Sequence, residues 1–195
     1  MAEDGWAGLL TVPRVVGLAA DGSPRTLPAA ELESLRGEGG RSDGLCVQPG
    51  VTQVLDGAAG SALDVVARLT PGPAGRVWLG VLAAADGSER TEVGVDADGA
   101  VYLSRQRSST RPGTCRGSYR MPVGLDRDGG VDVRVLVDAS VVEVFAGDGH
   151  ALTARVYPQA RSSTGLVVGA AAAAGSFSVQ WWPVEVQGRS TAPTA

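Results

Sequence analysis

The chain reads as an all-β protein: an antiparallel two-sheet β-sandwich of the concanavalin-like or jelly-roll type, preceded by an extended linker segment. Two observations predict it. Apolar and polar residues alternate with period two in one short run after another, and clusters rich in Asp and Gly separate those runs at the spacing of a sandwich. At 195 residues the chain is long enough to bury a full core, and its 44% hydrophobic and 19% charged content is that of a folding chain despite 28 Gly.

Taken in order, Trp6 to Leu18 is apolar, and Pro24 to Leu27 leads into a short amphipathic piece, Ala29 to Arg36, of one helical turn. Gly37 to Gly44 is Gly-rich and polar, which reads as a loop. The expected division is a linker-like lead over 1–40, then a sandwich over 41–190 and a tail over 191–195. Strands are expected at Ala62 to Leu69, Arg76 to Ala83, Arg90 to Val95 and Val101 to Arg105. Turns such as Ala85-Asp86-Gly87-Ser88 and Asp96-Ala97-Asp98-Gly99 separate them.

The clearest run is Val131, Val133, Val135 and Val137 on one face against Asp132, Arg134 and Asp138 on the other. With Val141 to Ala146, the turn at Gly147 to His150, and Leu152 to Tyr157, it makes a three-strand meander. Leu166 to Ala172 and Ser176 to Val186 are two further strands; Pro183 places the last at an edge or bulge, and Trp181 and Trp182 fall on opposite faces.

Composition excludes several classes. The net charge is −4 and the Arg residues are scattered singly, with no Lys, so there is no electrostatic footprint for nucleic acid. The longest apolar run, Leu166 to Ala174, falls far short of the roughly 20 residues that cross a bilayer, and the first residues show no signal-peptide pattern. Neither a nucleotide fingerprint nor a nucleophile elbow occurs, so no cofactor is expected. Cys46 and Cys115 read either as a disulfide pair or as two buried free thiols, and His150, the single histidine, as an exposed loop residue.

Three constellations could carry chemistry. Asp138 and Glu143 are a carboxylate pair of the kind that runs glycoside hydrolysis, but on successive strand segments a kink would be needed to aim both into one pocket. Asp96, Asp98, Asp126, Asp128 and Asp148 sit in Gly-containing turns, where hairpin geometry explains them better than calcium; no metal site is assigned. Trp181 and Trp182, with Trp78 and Tyr102, could present a sugar-stacking platform, against the alternative that they pack in the core.

Val137-Asp138-Ala139-Ser140-Val141-Val142-Glu143-Val144-Phe145, then Gly147-Asp148-Gly149, then Arg155-Val156-Tyr157-Pro158, resembles the "D-x-S-x-x-E-x-F … D-G … R-x-Y-P" signature in the C-terminal part of glycoside hydrolase family 32, the invertases, levanases and inulinases. Trp6 to Arg14 is similar to the segment by which those enzymes leave their catalytic domain, and Pro28 to Arg36 to the connection into the sandwich. The chain departs from the pattern over Tyr102 to Ser109, where the family often has Asp-Arg-Ser and this chain reads Ser104-Arg105-Gln106-Arg107-Ser108-Ser109.

The resemblance implies a five-bladed β-propeller partner that holds two Asp and a Glu in W-M-N-D-P-N-G, R-D-P and E-C motifs. None of these occurs here, and the chain contains no Asn. The implied role is therefore an accessory module of an enzyme acting on sucrose, levan or inulin, with no catalytic residue of its own. A free-standing fructan-binding module is the alternative. An apolar patch at Leu9, Leu10, Val12, Val15 and Val16 is expected where the propeller would pack.

Overall fold

The computed structural model describes residues 9–185. Its body is two six-stranded antiparallel sheets packed face to face. The first sheet runs in the order β12 (His150–Arg155), β11 (Val141–Ala146), β10 (Val131–Asp138), β5 (Ala62–Pro71), β14 (Gly175–Pro183), β3 (Gly40–Val47). The second runs β4 (Thr52–Ala59), β13 (Gly165–Ala171), β6 (Arg76–Ala83), β7 (Thr91–Asp96), β8 (Ala100–Ser104), β9 (Ser118–Pro122). A two-stranded hairpin, β1 (Arg14–Leu18) and β2 (Pro24–Pro28), and a 3-10 helix over Ala30–Leu35 precede them. The predicted sandwich is the observed one.

The core lies between the sheets and is built from the alternating positions the sequence displays. Val131, Val133, Val135 and Val137 of β10 face Leu63, Val65, Ala67 and Leu69 of β5 across the ladder, and Val77, Leu79, Val93, Val95, Val101 and Leu103 meet them from the second sheet. β-branched residues dominate because a pleated surface suits their fixed χ1.

Four sequence expectations are corrected. Gly37 to Gly44 is not a loop throughout, since β3 begins at Gly40. Trp181 lies against Gly40 and Trp182 against Gly39, so a Cβ at either position would enter an indole; glycine is there for close approach. The lead is not one extended segment but a β-hairpin, followed by the helical turn expected within Ala29 to Arg36, here a 3-10 helix. β14 is an interior strand between β5 and β3, and Pro183 is tolerated because pairing with β3 ends at Trp181. The β-bulge lies earlier, between Phe177 and Val179. Cys46 and Cys115 are both free and both exposed, neither a disulfide nor buried thiols.

The outer face of the second sheet alternates large and small residues across strands: Gly169, Trp78, Gly94, Tyr102. Trp78 lies over Gly169 and Tyr102 over Gly94, with Arg90 stacked 4.4 Å above the Trp78 ring and Arg76 5.5 Å above Tyr102. The Tyr102 hydroxyl is buried there with no hydrogen-bond partner, and burial pushes its pKa up. Removing an unpartnered buried hydroxyl relieves a desolvation cost, so Tyr102→Phe is expected to stabilise the fold by about 1 kcal/mol in urea titration.

Candidate functional site

The outer face of β10 and β11 is where the lead packs. Leu136, Val141, Glu143 and Phe145 point away from the core yet are buried. Glu143 accepts a hydrogen bond from the Val12 N–H at 2.7 Å and an ion pair from Arg14, whose guanidinium also reaches Thr153 Oγ1 at 2.6 Å and lies 5.3 Å over the Phe145 ring. On the hairpin's other side, the Thr26 N–H donates to the Gly149 carbonyl at 2.9 Å.

A second clamp holds the 3-10 helix. Asp64 on β5, only 1% exposed, accepts from Arg36 Nε at 2.7 Å and from Arg134 Nε and Nη2 at 2.9 and 2.7 Å. Arg134 extends the network to Glu33 at 3.4 Å, and the Arg36 guanidinium stacks 3.9 Å from Trp182. Backbone bonds from Gly37 N–H to the Pro183 carbonyl and from Glu185 N–H to the Leu35 carbonyl close the seam.

Between the two clamps is a cleft of about 230 Å³ whose walls include Val12, Leu32, Leu35, Leu136, Val141 and Val184. Asp138 and Glu143 also line it. The register explains this: Asp138 pairs with Val141 and Glu143 with Leu136, which puts both carboxylates on the outer face without the expected kink. The tight turn between the strands uses Ala139 at φ 47°. Both Glu143 oxygens are nevertheless taken, one by Val12 and one by Arg14. With one oxygen bonded to a backbone donor and the other to a guanidinium, the carboxylate has neither oxygen free to meet a substrate.

The four aromatic residues do not form one platform. Trp181 is 7% exposed and belongs to the core, Trp182 is on the opposite face beneath Arg36, and Trp78 and Tyr102 lie on the other sheet. Two of the five turn aspartates serve local turn geometry as expected. Asp98 accepts from the Ala100 N–H, and Asp126 from those of Asp128 and Gly130. Arg120 and Arg68 hold the same two carboxylates below their usual pKa range. Among the described residues no three His, Cys, Asp or Glu are grouped as a metal ion would require. His150 is exposed as the first residue of β12.

One site escaped sequence reasoning. Glu89, in the β6–β7 connection, is fully buried, and no cation is bonded to it among the described residues. Its carboxylate accepts from the N–H groups of Thr110, Gln159 and Ala160 at 2.6, 2.9 and 3.1 Å, and from the hydroxyls of Thr110 and Ser163 at 3.0 and 2.7 Å. Burial raises its pKa, but these donors together outweigh burial and lower it to about 2. One side chain thus ties three connections together: β6–β7, β8–β9 and β12–β13.

The family model "Glycosyl hydrolases family 32 C terminal" matches residues 31–183. The chain belongs to glycoside hydrolase family 32. Within that family it is similar to a levanase of Bacillus subtilis, 30% identical over 85% of this chain and 25% of the levanase. It is likewise 30% identical to a fructan 1-exohydrolase of Hordeum vulgare, over 83% of this chain and 34% of that protein. The chain therefore spans a quarter to a third of the curated relatives it matches.

Its fold is that of family 32 structures. Fructan 1-exohydrolase IIa of Cichorium intybus superposes with a TM-score of 0.81 at 21% identity, over 94% of this chain and 42% of that one. An exo-inulinase of Aspergillus awamori gives 0.74 at 21% identity, over 89% and 35%. The 94% share exceeds residues 31–183, so the likeness reaches beyond the family match into the lead.

Proposed function

We propose that this C-terminal family 32 domain is the accessory half of a β-fructofuranosidase-type enzyme. A catalytic β-propeller hydrolyses β-fructofuranosyl bonds in sucrose, levan or inulin, and the sandwich packs against it through the lead. In this reading residues 1–40 are the connection and 41–190 the sandwich unit. The observation that carries it is the lead's two-sided character. Glu143 and Asp64 clamp it to the first sheet, while Leu10, Val15, Val16 and Leu18 face outward. Monomeric soluble proteins rarely leave such an apolar strip uncovered, and a partner domain supplies the cover. Of the residues expected in this patch, Leu9 also is exposed, whereas Val12 is half-buried over Glu143.

The test is to mix the chain with the separately produced catalytic part of the Bacillus subtilis levanase or the Hordeum vulgare exohydrolase. Co-elution and a raised melting temperature of the catalytic part are expected, both weakened by Val15→Glu. Co-elution with neither, at tens of micromolar protein (roughly the range of transient interdomain affinities), counts against the reading.

Levan or inulin binding lost in Trp182→Ala at unchanged melting temperature would instead support a sugar-binding module. The expected result is no measurable binding, because one indole is in the core and the other lies beneath a guanidinium. Among the described residues no helix is long and apolar enough to cross a membrane.

A further inference from the structure

We propose that one corner of the sandwich is a binding surface for an acidic polysaccharide, a chain carrying carboxylate or sulfate groups among neutral hydroxyls. This inference is independent of the family reading. Sixteen arginines lie in the described residues, and eight of them form ion pairs there. Of the other eight, six gather at this corner: Arg105, Arg107, Arg111, Arg116, Arg155 and Arg161. They come from two stretches of sequence that the fold brings together. Arg105, 8% exposed just past β8, donates to the Arg155 carbonyl at 3.2 Å and so ties the β8–β9 connection to the end of β12. Thr110 and Ala160, the chain neighbours of Arg111 and Arg161, donate their N–H groups to the same Glu89 carboxylate. Arg107 donates to the Gly87 carbonyl at 2.6 Å and Arg116 to the Ser109 carbonyl at 3.3 Å, which anchors both on these loops.

Little in these loops offsets the charge. Residues 105–118 and 155–164 contain no Asp or Glu. In the β6–β7 turn that meets them, Asp86 accepts from Ser88 and Glu89 is fully buried. A guanidinium does not lose its proton, so the six charges are permanent, on a chain whose net charge is −4. A concentration of one sign attracts the opposite one from solution.

The arrangement favours a chain of sugars. Arg107, Arg111, Arg116 and Arg161 are exposed and sit on two separate loops, which suits anions strung along a polymer better than a single ion. Gln106, Thr114 and Ser162 stand among them and offer amide and hydroxyl groups to sugar hydroxyls. Nucleic-acid bases would need open aromatic faces to stack on. The two tyrosines of the corner, Tyr119 and Tyr157, already have Arg105 and Arg155 over their rings at 5.0 and 5.2 Å.

The test is isothermal titration calorimetry of the intact chain with polygalacturonate, dextran sulfate and neutral dextran, at about 0.05 M salt so that screening leaves the arginines acting together. Dissociation constants on the order of ten micromolar are expected for the two acidic polymers, with no binding to dextran. Arg111→Ser combined with Arg161→Ser should weaken both at least about tenfold. Arg25→Ser combined with Arg127→Ser removes the same charge at the two unpaired arginines elsewhere, and should change them less than about twofold. All four side chains are exposed, so both variants should melt with the parent chain. No binding to either acidic polymer overturns the proposal, as does equal weakening by the two pairs of substitutions, or binding to poly-dT as tight as to the polysaccharides.

Discussion

Glu89→Gln is expected to destabilise the sandwich by about 4 kcal/mol in urea titration. The carboxylate accepts five distinct donors in a fully buried site. Bonds to a charged acceptor contribute about 1.5–3 kcal/mol each, and donors left unpaired in a dry site cost the full desolvation penalty. Glutamine keeps the volume but loses the charge, and it turns an N–H₂ toward groups that are themselves donors.

The same carboxylate gives the fold an acid limit. Its pKa falls from 4.5 in the unfolded chain to about 2 in the folded one. The unfolded state therefore takes up the proton first as pH drops. The stabilisation is fully present above about pH 4.5 and is lost as pH falls toward 2, a change on the order of 3 kcal/mol. Unfolding free energy followed from pH 6 to pH 2 should show this slope in the parent chain, and the part due to this group should vanish in Glu89→Gln. An unchanged slope would mean that the donors do not hold the charge.

Asp64→Ala is the second large effect, expected at about 3–5 kcal/mol, because it removes the buried anion between Arg36 and Arg134 and leaves the two guanidiniums only the exposed Glu33 to share. It should also act locally. The 3-10 helix has no buried residue of its own, so its attachment depends on Arg36, the Trp182 stack and the seam hydrogen bonds. Limited trypsin cleavage after Arg36 should accelerate in Asp64→Ala more than cleavage in the sandwich body. Uniform acceleration would mean that Asp64 supports the whole sheet rather than the lead.

What could be read from the sequence follows from burial. Strands with a neighbour on each side and one face in the core, such as β10 with Val131 to Val137, carry the alternation that exposes them as strands. The strands not foreseen, β3, β4 and β9, are all sheet edges, and β1 and β2 form an isolated hairpin. Half of such a strand faces solvent, so its composition is free to look like a loop, as Gly40 to Asp43 does.

The site divides in the same way. The stretch from Asp138 to Phe145 stood out through its resemblance to a family signature, but the function of Glu143 did not, because its partner Arg14 is 129 residues away. Glu89 lies in an ordinary turn sequence, Asp86-Gly87-Ser88-Glu89, and its donors come from 21 to 74 residues further along. No local pattern marks a carboxylate that is bound by backbone N–H groups of distant loops.

The most direct measurement is fructose release from sucrose, inulin and levan by the purified chain, alongside Glu143→Gln. A domain whose cleft carboxylate is committed to a clamp should release none above buffer, for parent and variant alike. Release by the parent that Glu143→Gln abolishes would place chemistry in the cleft and contradict the accessory role.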